Sequence, residues 1–186
     1  MKINWLRSLF RKDKVSENQK TLSLEKFKNT YPTVSLSEEL RGNAYNLFFL
    51  IEQCNLDSIV SVIQAYTNKE FKLNGTREPQ DKSHRDLILK INIFPDFEGY
   101  VVHIITSEEQ LIDRVLESNY APPLPTVSFQ NVNPLEYGAL QGNLDFWFQW
   151  LWLPYWLHLS ASERHRLDLS DEWIEFIEER TCDVSQ

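Results

Sequence analysis

The spacing of apolar residues predicts two helices at the start of the folded part of the chain. Ser35-Leu-Ser-Glu38 has the form of a capping box, and the residues after it keep helical spacing to about Gln53: Leu40, Ala44, Leu47, Phe48 and Ile51. Asn55 or Asp57 can cap a second helix, which should end before Asn68. The short link between these helices predicts an antiparallel pair.

The middle of the chain changes to the pattern of strands. Two runs of β-branched residues flank the turn sequence Pro95-Asp-Phe-Glu-Gly99, so we expect a β-hairpin over about residues 86–105. Ser107-Glu-Glu-Gln110 then begins a helix that should end near Asn119. The β-branched residues at about 126–130 predict a further strand.

The carboxyl-terminal third is helical and rich in aromatic residues. Four of the six tryptophans fall between residues 147 and 156. One side of the helix predicted over 143–153 holds Leu144, Trp147, Phe148 and Leu151, and another holds Phe146, Trp150 and Leu153. Pro154 should end or kink this helix, Ser160 can cap the next, and Asp171 can cap the last.

These elements predict an α+β fold in which a small antiparallel sheet packs against several helices. We expect residues 22–186 to form one domain. Residues 1–21 form a separate element, predicted to be a basic amphipathic helix followed by a polar tether. Its apolar side includes Trp5, Leu6, Leu9 and Phe10.

The distribution of charge narrows the class of partner. The net charge is −8. Residues 1–28 carry +5, so the remainder carries −13, and residues 167–186 alone hold seven acids against one base. This balance argues against binding to nucleic acid and favours a basic partner, although solvated charge that keeps the protein soluble is the simpler interpretation.

Motifs for catalysis or cofactor binding are missing from the sequence. There is no glycine-rich phosphate loop, and His158, Glu163, His165 and Asp168 do not match a known metal-ligand spacing, so we predict no cofactor, no metal and no enzymatic activity. An unrecognised hydrolase using His158 or His165 is an alternative. His103 is interpreted as a structural histidine of a strand, without a catalytic partner.

The two cysteines, Cys54 and Cys182, show no paired spacing, and the amino end does not have the form of a signal peptide. Both observations predict a cytoplasmic protein. Because Cys54 follows an apolar run, we expect its side chain to be buried.

The aromatic cluster either builds the core or binds another protein, and the sequence leaves this choice open. Tryptophan and tyrosine are enriched at interface hot spots, and an acidic rim speeds association with a basic partner. The predicted partner-binding residues are therefore aromatic residues of the cluster and the acids that follow it: Trp150, Trp152, Tyr155, Trp156, Asp168, Asp171, Glu172, Trp173 and Glu175.

The chain resembles, in overall character, the small bacterial immunity proteins that accompany type VI or Rhs-type toxins. The resemblance is carried by the opening Met1-Lys-Ile-Asn-Trp-Leu-Arg-Ser-Leu-Phe-Arg-Lys-Asp13, by the acidic body, and by a carboxyl-terminal third that contains Trp147, Trp150, Trp156 and Trp173. It implies a non-enzymatic protein that binds and neutralises a toxin, which would be basic. The alternative is a peripheral membrane adaptor anchored through Trp5, Leu6, Leu9 and Phe10.

Overall fold

A computed structural model of the protein describes residues 22–67, 73, 79–83, 87–136 and 142–181. The strands are β1 (Val34–Leu36), β2 (Tyr45–Glu52), β3 (Gln80–Asp81), β4 (Leu89–Asp96) and β5 (Gly99–Thr106). The α-helices are α1 (Leu56–Thr67), α2 (Glu109–Glu117), α3 (Pro125–Ser128), α4 (Gly142–Trp147), α5 (Leu153–His158), α6 (Ala161–Arg164) and α7 (Asp171–Thr181). A π-helical turn, Phe148–Trp152, joins α4 to α5.

The strands form one antiparallel sheet in the order β1-β2-β5-β4-β3. The central strands β2 and β5 pair over their whole lengths, from Tyr45 opposite Thr106 to Glu52 opposite Gly99. Gly99 is required at this end, because a Cβ atom there would lie 2.3 Å from the carbonyl oxygen of Ile51 and 2.9 Å from Cγ of Pro123. The α+β class and the hairpin predicted for residues 86–105 are confirmed.

Each face of the sheet carries its own hydrophobic core. On the first face, alternate residues of the strands, such as Leu47 and Ile104, pack with α1 and α2. On the second face, Leu50 and Val101 pack under the helices of residues 142–181. The sheet is therefore a central layer between two helical layers.

Several local predictions are wrong. The helix expected from the Ser35 capping box to Gln53 does not form, because residues 34–36 are strand β1 and residues 45–52 are strand β2, and the antiparallel helical pair is therefore wrong as well. Strand β2 is covered on both faces and has no alternating pattern. Residues 125–128, where a strand at 126–130 was expected, form the short helix α3, because Pro125 occupies its first turn and favours a helix start. The helices predicted to follow Asn55 and Ser107 are confirmed as α1 and α2.

Candidate functional site

The helical segment of residues 142–158 lies across the second face of the sheet and contains the aromatic cluster. Pro154 has no N–H group and would normally break such a helix. Here the turn before it is π-helical, and the N–H of Leu153 donates to the carbonyl of Phe148 five residues earlier. The segment therefore continues to His158 as α5 instead of ending at the proline.

The inward side of this segment is a closely packed aromatic core. Trp147 and Trp152 stack with ring centroids 5.5 Å apart, and both side chains are fully buried. Trp173 of α7 packs edge-on against Trp147 at 5.8 Å. Three predicted anchors therefore lie in the protein's own core, namely Trp152, Trp156 and Trp173, and are not exposed to a partner. For these three, the interface interpretation is corrected to a core position.

Contacts within the protein also cover Trp156 and part of Tyr155, another predicted anchor. The Arg164 guanidinium lies 4.9 Å from the ring of Trp156, and its Nε donates a hydrogen bond of 2.9 Å to the Trp156 carbonyl. Tyr155 is half-buried between Trp152 and Tyr31, whose ring centroids lie 5.7 Å and 5.0 Å away. Tyr155 therefore packs against both hydrophobic cores and connects them.

The outward side of the same segment is apolar and open to solvent. We call Phe146, Trp150 and Leu157 the apolar stripe; they are 41%, 62% and 46% exposed. The partly exposed Leu153 and Pro154 lie between Trp150 and Leu157 along the chain. The sequence predicts two apolar sides of this helix without saying which one faces the core, and it does not single out Phe146 and Leu157 as candidate site residues, although they lie four and seven residues from Trp150.

The phenylalanine end of the stripe is anchored to the sheet. The Phe146 ring lies 6.0 Å from Phe48 of β2 and stacks at 6.3 Å on Phe97 in the β4–β5 turn. Because Phe48 lies on β2 and Phe97 in the turn of the β4–β5 hairpin, this end of the stripe is held against the sheet. Such an arrangement lowers the conformational cost of binding.

Helix α7 presents an acidic outer face. Trp173, Phe176 and Ile177 point inward, whereas the outer face is formed by exposed carboxylates: Asp171, Glu172, Glu175, Glu178 and Glu179, with Asp168 just before the helix. The Arg180 guanidinium lies 3.9 Å from the Phe176 ring and donates to the Phe176 carbonyl, so this cation turns back toward the core. The predicted acids Asp168, Asp171, Glu172 and Glu175 are thus all at the surface.

Hydrogen bonds to its own backbone N–H and to the Ser170 hydroxyl hold the pKa of the Glu172 carboxyl below its usual range. The exposed carboxylates together give the outer face of α7 a negative potential.

His103 occupies a polar position on the second face of the sheet. Its Nε2 lies 2.7 Å from Oδ1 of Asn46 on the neighbouring strand, and the Phe48 ring packs edge-on against it at 5.6 Å. Burial lowers the pKa of the His103 imidazole. The interpretation of His103 as a structural histidine fits these contacts.

His158 and Glu163, which were also considered for chemistry, make local structural hydrogen bonds. His158 lies with Nδ1 2.9 Å from the Asn29 carbonyl oxygen, and Glu163 accepts the backbone N–H of Ser160 in a complete capping box. Within the described ranges, no three His, Cys, Asp or Glu side chains come close enough together to hold a metal ion.

Cys54 is exposed, contrary to the prediction that it is buried. It lies in the 3₁₀ turn Gln53–Asn55 just beyond β2, where its Sγ is 3.6 Å from Oε2 of Glu52. The apolar run that suggested burial ends before this turn.

The predicted membrane-contact residues, Trp5, Leu6, Leu9 and Phe10, lie outside the described residues. In the part of the chain that the structure describes, no helix is both long enough and apolar enough to cross a bilayer.

Comparison of the chain with protein-family models, curated proteins and solved structures found no match in any of the three.

Proposed function

We propose that this protein is a non-enzymatic binding module that recognises another protein, and that it acts as an immunity protein against a basic toxin. The observation that carries the proposal is that Trp150, at the centre of the apolar stripe, is 62% exposed to solvent. Tryptophan is the residue most enriched among binding hot spots, and contiguous exposed apolar surface marks interaction sites.

The environment of Trp150 supports its role as an anchor. The residues on either side of it in sequence that face inward, Phe148, Leu151 and Trp152, are fully buried. The helix that carries Trp150 is therefore fixed by its own core. A side chain presented by a fixed helix loses little freedom when a partner covers it.

The acidic face of α7 supports a basic partner. It belongs to the same helical layer as the stripe, since Phe148 packs on Phe176 with ring centroids 5.3 Å apart. In the proposed mechanism, these carboxylates steer the encounter, and the stripe then buries Phe146, Trp150 and Leu157 against the partner. The anchors are thus the outward residues of the cluster.

The proposal includes a cytoplasmic location. The exposed Cys54 is a free thiol, which is usual in a reducing compartment.

The test is capture of the partner from the native host by the tagged full-length chain, followed by affinity measurement with the purified partner. The stripe variant is Trp150→Ala/Leu157→Ala. The matched control is Val127→Ala/Leu135→Ala, which removes two other exposed apolar side chains, 42% and 41% exposed, outside the stripe. If the stripe contains a hot spot, the first variant should weaken binding about 30-fold or more and the control should not.

The immunity role has its own requirement. Expression of the captured partner alone should arrest growth of a host, co-expression of the wild-type chain should restore growth, and the stripe variant should fail to do so. If the partner is harmless, the immunity role is wrong while the binding site stands. If the stripe variant binds as tightly as the wild type, the proposed site is wrong.

A charge-reversal variant tests whether the carboxylates of α7 steer the partner. Glu172→Lys/Glu175→Lys should lower the association rate and reduce its dependence on salt, with little change in the dissociation rate. An unchanged association rate would contradict steering by α7.

A further inference from the structure

A groove opens at the end of the sheet where β2 finishes and the β4–β5 hairpin turns. Its volume is about 440 Å³, and its lining includes Glu52, the last residue of β2, and Glu98 of the hairpin turn. Pro123, Leu124 and Cys54 also line it. This volume lies in the range of ligand pockets, roughly 300–1,000 Å³.

The apolar wall of the groove is fixed at both of its ends. At one end, the backbone N–H of Glu52 donates to the Ala121 carbonyl at 3.0 Å, which ties the chain before the wall to β2. At the other end, the Ser128 hydroxyl donates to the Phe97 carbonyl at 3.0 Å, which ties α3 to the hairpin turn. The groove is therefore formed by the fold itself before any partner arrives.

The hairpin turn places Phe97 and Glu98 where neither residue type is favoured. Asp96 pairs with Gly99, so these two residues form the whole loop, and both have positive φ, +51° and +55°. A loop of this kind favours Asn-Gly or Asp-Gly. Phe97 instead stacks on Phe146 of the apolar stripe, and Glu98 lines the groove. Backbone strain that displays particular side chains is common at binding sites.

The groove combines apolar surface with negative charge. Pro123 and Leu124 provide the apolar surface, and the exposed residues Glu52 and Glu98 provide two carboxylates. Among the described residues, no Lys or Arg forms an ion pair with either carboxylate. The complement of such a groove is a cationic group on an aliphatic stem, which is the form of a lysine or arginine side chain.

We propose that this groove receives a lysine or arginine side chain of the basic partner and extends the binding surface beyond the phenylalanine end of the apolar stripe. The stem packs on Pro123 and Leu124, and the cationic head lies between Glu52 and Glu98. Since this side chain belongs to the partner that covers the stripe, its assignment rests on the proposed function.

The thiol of Cys54 allows the groove to be probed without the partner. In the full chain carrying Cys182→Ser, Cys54 is the only cysteine. The chain is equilibrated with equal concentrations of cysteamine and 2-mercaptoethanol, each with its disulfide. The ratio of aminoethyl to hydroxyethyl adduct is then measured by mass spectrometry of the Cys54 peptide after acid quenching and digestion with pepsin. The same ratio in the urea-unfolded chain is the reference.

We expect the ratio in the folded chain to exceed the reference about threefold or more, and the excess to shrink at high salt. Glu98→Gln removes the carboxylate of the hairpin turn and should abolish most of the excess. Glu117→Gln makes the same charge change at an exposed position of α2, which packs on the first face of the sheet, and should keep it. A ratio equal to the reference would overturn the proposal. An equal loss in both variants would overturn it as well, because the general negative charge of the protein would then account for the excess.

The purified partner provides the second part of the test. Glu52→Gln/Glu98→Gln should weaken its binding about tenfold, mainly through faster dissociation, whereas Glu117→Gln should not. Val127 also lines the groove, but valine is under-represented among hot spots, so the control variant Val127→Ala/Leu135→Ala should bind within a few-fold of the wild type.

The two parts fail separately. Unchanged partner affinity in Glu52→Gln/Glu98→Gln would overturn the assignment of the groove to the partner's basic side chain, while the stripe could still be the binding site. Unchanged affinity in the stripe variant would overturn the proposed binding site, and the adduct ratio would still decide whether the groove prefers a cation.

Discussion

Removal of two tryptophans only two residues apart should lower the stability of the protein by very different amounts. Trp152 is fully buried and stacks on Trp147, whereas Trp150 is 62% exposed. Covering a tryptophan removes on the order of 200 Å² from water, which at about 25 cal/mol per Å² corresponds to roughly 5 kcal/mol. Large aromatic-to-alanine changes in cores cost about 3–5 kcal/mol. We therefore expect Trp152→Ala to lower the free energy of unfolding by about that amount, and Trp150→Ala by less than about 1 kcal/mol.

The assay is urea unfolding followed by far-UV circular dichroism, because removal of a tryptophan changes the fluorescence signal itself. The urea dependence of the unfolding free energy should stay constant between variants, so that the midpoint reports stability. Trp152→Phe, which keeps a ring in the cavity, should fall between the wild type and Trp152→Ala. A loss above about 2 kcal/mol for Trp150→Ala, or a near-neutral Trp152→Ala, would refute the division of the cluster into core and surface.

Three further predictions concern other parts of the fold. Gly99→Ala should lower the free energy of unfolding by about 1–3 kcal/mol or prevent folding, because the added Cβ would overlap the Ile51 carbonyl. Gly142 has a φ of +60° and nothing lies within 4 Å of an added Cβ, so Gly142→Ala should lower the free energy of unfolding, measured by urea titration, by only about 1–2 kcal/mol. Folding lowers the pKa of His103, so the contribution of the neutral imidazole to stability is complete above about pH 6.5 and is lost as the pH falls through the folded-state pKa. Between about pH 7.5 and 5.5 the wild type should therefore lose more unfolding free energy than His103→Gln. Equal losses would contradict this assignment. Ser160→Ala removes the capping box of α6 and should lower the unfolding free energy by about 1 kcal/mol, whereas an unchanged urea midpoint would mean that the cap is not needed.

The elements that the sequence predicts well are those with local signals. The hairpin of β4 and β5 is predicted by its turn residues, and α2 ends near Asn119 as expected. The capping box at Ser160 is also present. In each case, the chemistry of a few neighbouring residues decides the conformation.

The errors come from tertiary context. Leu47, Phe48 and Ile51 fit a helical period, but they lie on a central strand whose two faces pack into different cores, and a strand buried on both sides has no distinguishing pattern. The sequence does not decide which tryptophans face the core, for a related reason. The segment of residues 142–158 is apolar around most of its circumference, and only contact with the sheet and α7 decides that Trp152 faces inward and Trp150 outward.

The placement of the second core has a consequence for synthesis of the protein. Leu50 and Val101 belong to the early and middle parts of the chain, but the side chains that cover them come from residues 142–181, which are made later. At 5–20 residues per second, translation of those roughly 40 residues takes about 2–8 s. During that interval the hairpin can pair while one face of its sheet is still bare. The nascent chain therefore passes through a stage in which chaperone capture and self-association compete with completion of the fold.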